Sequence, residues 1–176
     1  MKKILLTGML FLYISGILIG QSIYSGSFDL KNQSAFNLIS ENEIVTVQIA
    51  KKQIDINNSE KNTYGLRKIK SNQFLFFCGS DSIQIVQAKK KLTFQPGLVF
   101  DYKKRTLKEL ILVDAEGKIA LNAEYDFKYP VANYKINIQG NTKIKELLSY
   151  ATYYLFDKSK KLKNAYETPY IYFGPY

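Results

Sequence analysis

From Ser22 to Gln139 apolar and polar positions alternate with period two between short turn signals, the pattern of half-buried β-strands. Ile119, Leu121, Ala123, Tyr125 and Phe127 alternate with Lys118, Ala120, Asn122, Glu124 and Asp126, which predicts one buried face and one wet face. Tyr134, Ile136 and Ile138 alternate with Lys135, Asn137 and Gln139, and Val45, Val47 and Ile49 precede Ile54 and Ile56 in the same manner. Turns fall at Asn57 to Asn62, Gly79-Ser80-Asp81-Ser82, Gln95-Pro96-Gly97, Asp114-Ala115-Glu116-Gly117 and Tyr129-Pro130. The chain is therefore expected to be mostly β, with about ten or more short antiparallel strands in a closed or nearly closed barrel, or otherwise in a sandwich. Closure removes the exposed strand edges that invite aggregation. No long repeat and no linker divides the chain.

Near its end the period changes. Asn141 or Thr142 can cap a helix predicted over 142–158, with Glu146 in its first turn and Lys158, Lys160, Lys161 and Lys163 at its basic end. Between Leu147 and Phe156 no side chain is charged, and apolar or aromatic residues surround the axis. Such a helix wants burial on all sides. The other arrangement is an amphipathic helix lying on one sheet face with its tyrosines wet.

The start of the chain reads as an address. Lys2 and Lys3 precede an uncharged run from Ile4 to Ile19, and Gly20 and Ser22 are small enough to flank a peptidase cut. This pattern predicts an export signal over 1–22, a barrel domain over 23–164 and an aromatic tail over 165–176. An uncleaved N-terminal anchor is the alternative, although the run is shorter than the roughly 20 residues that a spanning helix needs. The expected location is the periplasm, the outer envelope or the exterior. Loss of the two lysines with the leader takes the formal charge from +10 to +8. Nearly all of that charge is lysine, since Arg67 and Arg105 are the only arginines. Lysine lacks the planar fork that reads phosphates and guanine edges, so nucleic acid is not the expected partner. Anionic lipid headgroups, acidic polysaccharide or simple solvation suit an exported lysine-rich surface.

The residue inventory narrows the chemistry further. Cys78 is the only cysteine, so no intramolecular disulfide can form, and its place in Phe74 to Cys78 reads as a small buried hydrophobe. It lies too far from the leader to accept an N-terminal lipid. With no histidine in the chain, the usual general base and the usual zinc sets are missing. No serine is followed three places on by lysine. A carboxylate pair drawn from Asp101, Asp114, Glu116, Glu124 and Asp126 is the one remaining catalytic arrangement, and these acids sit in turns or on the polar face of a strand. No Asp-x-Asp-x-Asp-Gly calcium loop occurs. The chain is accordingly expected to be no enzyme, with no catalytic residue, metal or cofactor.

The hairpin Asp114-Ala115-Glu116-Gly117-Lys118-Ile119-Ala120, the Tyr-x-Ile-x-Ile strand at Tyr134 to Ile138 and the late apolar helix running into Asp157 resemble the tubby C-terminal, LURP-one-related and scramblase-like superfamily. The resemblance spans about Thr63 to Asp157. It implies a closed barrel of about a dozen strands around a central apolar helix. None of that family's phosphoinositide-binding residues matches a position here one by one. A second, lipocalin-like resemblance rests on Gly26-Ser27-Phe28, which is similar to that family's Gly-x-Trp, and on strands followed by a single helix. It implies a hollow barrel carrying a small hydrophobic ligand.

Two surface features are candidates for binding. Lys89, Lys90 and Lys91 precede one strand, and Lys103, Lys104 and Arg105 follow the next, so the two runs lie at one end of the barrel or at opposite ends. Together they would attract anionic lipid, at roughly 1 kcal/mol per lysine near the surface. The tail, with Tyr170, Tyr172 and Phe173, is expected to pack on the barrel, to dock on an envelope protein or to sit at headgroup depth.

Overall fold

The computed structural model describes residues 21–31, 34–60, 62–140 and 143–167. Six strands form the first half: β1 (Gln21–Asp29), β2 (Ala35–Ile39), β3 (Ile44–Ala50), β4 (Gln53–Asn57), β5 (Thr63–Lys70) and β6 (Gln73–Cys78). The second half holds β7 (Asp81–Gln87), β8 (Lys91–Phe94), β9 (Leu98–Arg105), β10 (Glu109–Val113), β11 (Ile119–Lys128) and β12 (Val131–Gln139). One helix, α1 (Ile144–Glu167), follows. Each strand pairs antiparallel with the next, and β1 closes the ring on β12. The fold is a closed twelve-stranded antiparallel barrel with a C-terminal helix, mostly β as the alternation predicts.

Alternation sets the inside of this barrel. Leu121, Ala123 and Tyr125 on β11, Tyr134, Ile136 and Ile138 on β12, Val45 and Val47 on β3, and Ile54 and Ile56 on β4 are all buried. Ring closure is uneven: β1 pairs with β12 along its whole length but meets β2 at one position, Ser25 opposite Ile39. Gln21 and Ser22, at the expected leader boundary, are the first residues of β1 and lie opposite Gln139 and Ile138. Cys78 ends β6 only partly buried and free, more open than its apolar surroundings in the sequence suggest.

The helix runs through the barrel. It packs on β4 and β5 and also on β11 and β12, and β5 and β11 stand opposite each other across the ring. From Leu147 to Leu155 every residue except Tyr153 is buried, as the uncharged stretch requires. Polar side chains survive there because their hydroxyls turn back on the helix. Ser149 Oγ donates to the Lys145 carbonyl and Thr152 Oγ1 to the Leu148 carbonyl, both at 2.7 Å. Phe28 of β1 meets Phe156, and Phe74 of β6 meets Tyr150 and Tyr153.

The helix is longer than the sequence suggests, ending at Glu167 instead of 158. Lysines favour helix continuation, and Lys161 with Asp157 and Lys163 with Glu167 form i,i+4 ion pairs at 3.4 and 3.8 Å. Tertiary contacts hold the extension as well. Ser159 is buried against the Tyr134 hydroxyl at 3.0 Å, and Tyr166 stacks on Tyr129. The expected caps Asn141 and Thr142, most of the expected leader and the tail residues Tyr170, Tyr172 and Phe173 lie outside the described residues.

Candidate anion-binding end of the barrel

In an up-and-down barrel successive turns alternate between the two ends, and here the alternation sorts the charges. Turns at one end carry Lys31, Lys51, Lys52, Lys70, Lys89, Lys90 and Lys108, and the C-terminal half of α1 brings Lys158, Lys160 and Lys161. Turns and adjoining strand ends at the other end carry Glu41, Glu43, Glu60, Asp81, Asp114 and Glu116, against Lys118 and Lys143, which pair with Glu116 and Glu146. A chain of scattered charge thus folds into a barrel with a basic end and an acidic end.

The two lysine-rich runs meet at the basic end. Lys91 opens β8 opposite Asp101 of β9, and the Tyr102 N–H donates to the Lys90 carbonyl at 2.9 Å. Lys89, Lys90, Lys91, Lys103, Lys104 and Arg105 are all exposed. Lys104 pairs with Glu109 across the β9–β10 hairpin.

A β-bulge decides where Arg105 goes. The β9–β10 register runs Tyr102 opposite Leu112, then Lys104 opposite Ile111 and Arg105 opposite Leu110, so Lys103 is the extra residue. Leu110 and Leu112 are fully buried, and paired residues share a face. The bulge therefore moves Arg105 to the inner file at the barrel mouth and leaves Lys104 on the outside.

At this mouth Lys68, Ser71, Phe74, Gln87, Arg105, Tyr150, Tyr153, Tyr154, Asp157, Lys158 and Lys161 line a cavity of about 130 Å³. It adjoins a shallower depression that shares Arg105, Tyr154 and Lys158 and adds Lys89. Aromatic rings hold the cations in place. The Arg105 guanidinium lies 4.9 Å from the Tyr102 ring centre, and Lys158 Nζ lies 5.2 Å from that of Tyr154. Among the described residues no carboxylate comes within ion-pair distance of Lys68, Arg105 or Lys158, while Asp157 pairs with Lys161. Burial lowers the Lys158 ammonium below its ordinary pKa, and Lys161, Arg105 and Lys68 push the same way against Asp157.

Tyrosine hydroxyls knit the helix to this wall. Tyr150 donates to Gln87 Oε1 at 2.8 Å and stands 2.7 Å from the Tyr102 hydroxyl, and Tyr154 donates to the Thr106 carbonyl at 2.6 Å. Burial pushes the Tyr102 hydroxyl up to about 12, opposed by Tyr150 and Arg105, and holds Tyr150 well above its ordinary value. Sequence reasoning found Lys89 and Arg105 but missed Lys68, Gln87 and Lys158. For Lys68 and Gln87 the signal is a break in parity, a polar residue where the inner file of a strand asks for an apolar one, whereas Lys158 lies on α1 and carries no such signal.

The acids considered for catalysis are dispersed. Asp114 Oδ1 accepts the N–H groups of Glu116 and Lys118 in its turn, and Glu116 pairs with Lys118 at 2.7 Å. Glu124 faces Lys135 across the β11–β12 ladder, Asp126 lies 4.0 Å from Lys128, and Asp101 is opposite Lys91. At the acidic end a cavity of about 410 Å³ is lined by Tyr24, Glu43, Tyr64 and Lys145 among others, and Tyr24 donates to Glu43 at 2.6 Å. Comparison with known proteins yields no matching family model, no matching curated protein and no matching solved structure.

Proposed function

We propose that this chain is an exported, non-catalytic binding module of the cell envelope that presents the basic end of its barrel to an anionic lipid surface. One observation carries the reading: Lys89 to Lys91 and Lys103 to Arg105, separate in sequence, lie side by side at that end, beside the lysines of α1. The filled interior agrees with it. A hydrophobic guest of the carrier type would have to displace Leu147, Leu148, Tyr150, Ala151 and Leu155, all buried. A ring of strands around an apolar helix also agrees with the architecture implied by the tubby-like resemblance, which we retain as part of this proposal. The test is binding to phosphatidylglycerol-containing vesicles across a salt series. Binding falls with salt, and the triple change Lys89→Gln, Lys90→Gln, Lys91→Gln weakens it more than tenfold, at roughly 1 kcal/mol per lysine. Binding that is indifferent to salt sinks the proposal.

A further inference from the structure

Three alternate strands end in the same way. The inner file of β5 reads Tyr64, Leu66, Lys68, that of β7 reads Ile83, Ile85, Gln87, and that of β9 reads Phe100, Tyr102 and, after the bulge, Arg105. Cross-strand partners fix the direction. Lys68 is opposite Phe74, Gln87 opposite Leu92 and Arg105 opposite Leu110, and all three partners are buried. The barrel interior thus changes from apolar to polar on one side of one mouth, where Lys158 of α1 joins these residues around the 130 Å³ cavity.

Size and chemistry narrow what such a cavity takes. A cavity of about 150 Å³ holds a molecule the size of benzene, so this one takes a single small group, while the adjoining depression leaves room for whatever bears that group. Its polar side chains offer mainly donors. Gln87 Oε1 is occupied by the Tyr150 hydroxyl, which leaves the amide NH₂ for an acceptor. Tyr150 spends its proton on Gln87, so the Tyr102 hydroxyl donates to Tyr150. The one carboxylate in the lining, Asp157, is engaged by Lys161. Cations converging from β5, β9 and α1 suit an anion with oxygens in several directions, and the Arg105 fork matches two of them.

We propose that this cavity binds one phosphate-type oxyanion group, with Lys68, Arg105 and Lys158 supplying the charge and Gln87 a neutral donor. The proposal rests on the basic end being a binding surface and adds a defined site within it. The group is either free phosphate or the terminal phosphate of a lipid headgroup.

Isothermal titration of the full exported chain with inorganic phosphate at constant ionic strength tests the site. Saturable binding is expected, weakened at least tenfold by Arg105→Gln and by Lys158→Gln, partly restored by Arg105→Lys, and unchanged by Lys135→Gln on the outer face of β12. Lys68→Gln serves if either first variant loses its cooperative unfolding. Vesicles of phosphatidic acid and of phosphatidylglycerol at matched surface charge separate the sources. A preference for the phosphomonoester that Arg105→Gln abolishes assigns a headgroup, whereas phosphate binding without that preference assigns a soluble ligand. The absence of both saturable phosphate binding and lipid preference overturns the site, even where salt-dependent vesicle binding keeps the surface reading standing. Phosphate binding with no vesicle binding overturns the surface reading alone.

Discussion

Tyr154 on the central helix donates its hydroxyl to the main-chain oxygen of Thr106 at 2.6 Å, tying α1 to the β9–β10 turn beside Arg105. Thr106 in turn organises that hairpin, its Oγ1 accepting the N–H groups of Lys108 and Glu109. Replacing Tyr154 with Phe removes this part-buried hydrogen bond, whose acceptor residue Thr106 is exposed. Loss of such a bond, with water able to reach the freed carbonyl, costs about 1 kcal/mol. The urea midpoint of Tyr154→Phe should fall accordingly with no change in slope.

Tyr125 gives the opposite expectation. It is buried, and its hydroxyl has no partner among the described residues. Removing an unsatisfied polar atom while keeping the ring costs little and can stabilise. Tyr125→Phe should therefore leave the urea midpoint unchanged or raise it, by up to about 1 kcal/mol in stability. A loss as large as that of Tyr154→Phe would mean that Tyr125 has a partner.

Gly65 on β5 has no room for a side chain. An added Cβ would lie 2.2 Å from the Ile54 carbonyl oxygen and 2.7 Å from the Phe77 ring. No rotamer relieves a clash with backbone, so Gly65→Ala should cost about 3 kcal/mol or abolish soluble expression. Gly79 makes the contrast, since its φ of +60° is left-handed but nothing lies within 4 Å. Gly79→Ala should cost only about 1–2 kcal/mol, read from thermal or urea unfolding of the two variants side by side.

Much of this fold was legible because the hydrophobic period carries it. The alternation at Ile119 to Phe127 and Tyr134 to Ile138 shows which face is inside, and the uncharged run from Leu147 to Phe156 shows a helix that needs cover all round. The helix end was not legible, because Lys158 to Lys163 reads as a stop signal until Ser159 is seen bonded to Tyr134. Nor was the direction of Arg105, which depends on a bulge at Lys103 that only the pairing with β10 reveals. The meeting of Lys89 to Lys91 with Lys103 to Arg105 follows from strand order and register, both long-range properties.

Alkaline pH should unfold the protein through its tyrosines. Burial pushes the hydroxyls of Tyr102, Tyr125 and Tyr153 up to about 12 and those of Tyr24, Tyr64 and Tyr134 higher still, and it holds Tyr150 well above its ordinary value. Below the unfolded value of about 10 every tyrosine is protonated in both states, and its contribution does not vary. Above it the unfolded chain releases protons first, so stability falls as pH rises from about 10 through the folded values. Absorbance at 295 nm should show native ionisation delayed relative to the urea-unfolded chain, then completed in a step that coincides with loss of ordered structure. Tyrosines that all titrate freely near pH 10 in the folded protein would contradict the filled interior.

The polarity of the barrel is tested most directly by which end meets the lipid. With Cys78 changed to Ser, a fluorophore is placed on Asn72→Cys in the β5–β6 turn at the basic end, or on Glu116→Cys in the β10–β11 turn at the acidic end. Both are read against phosphatidylglycerol vesicles carrying a headgroup quencher. The basic-end label should be quenched in a salt-reversible manner while the acidic-end label stays bright. Equal quenching at both ends, or quenching confined to Glu116→Cys, would contradict the account.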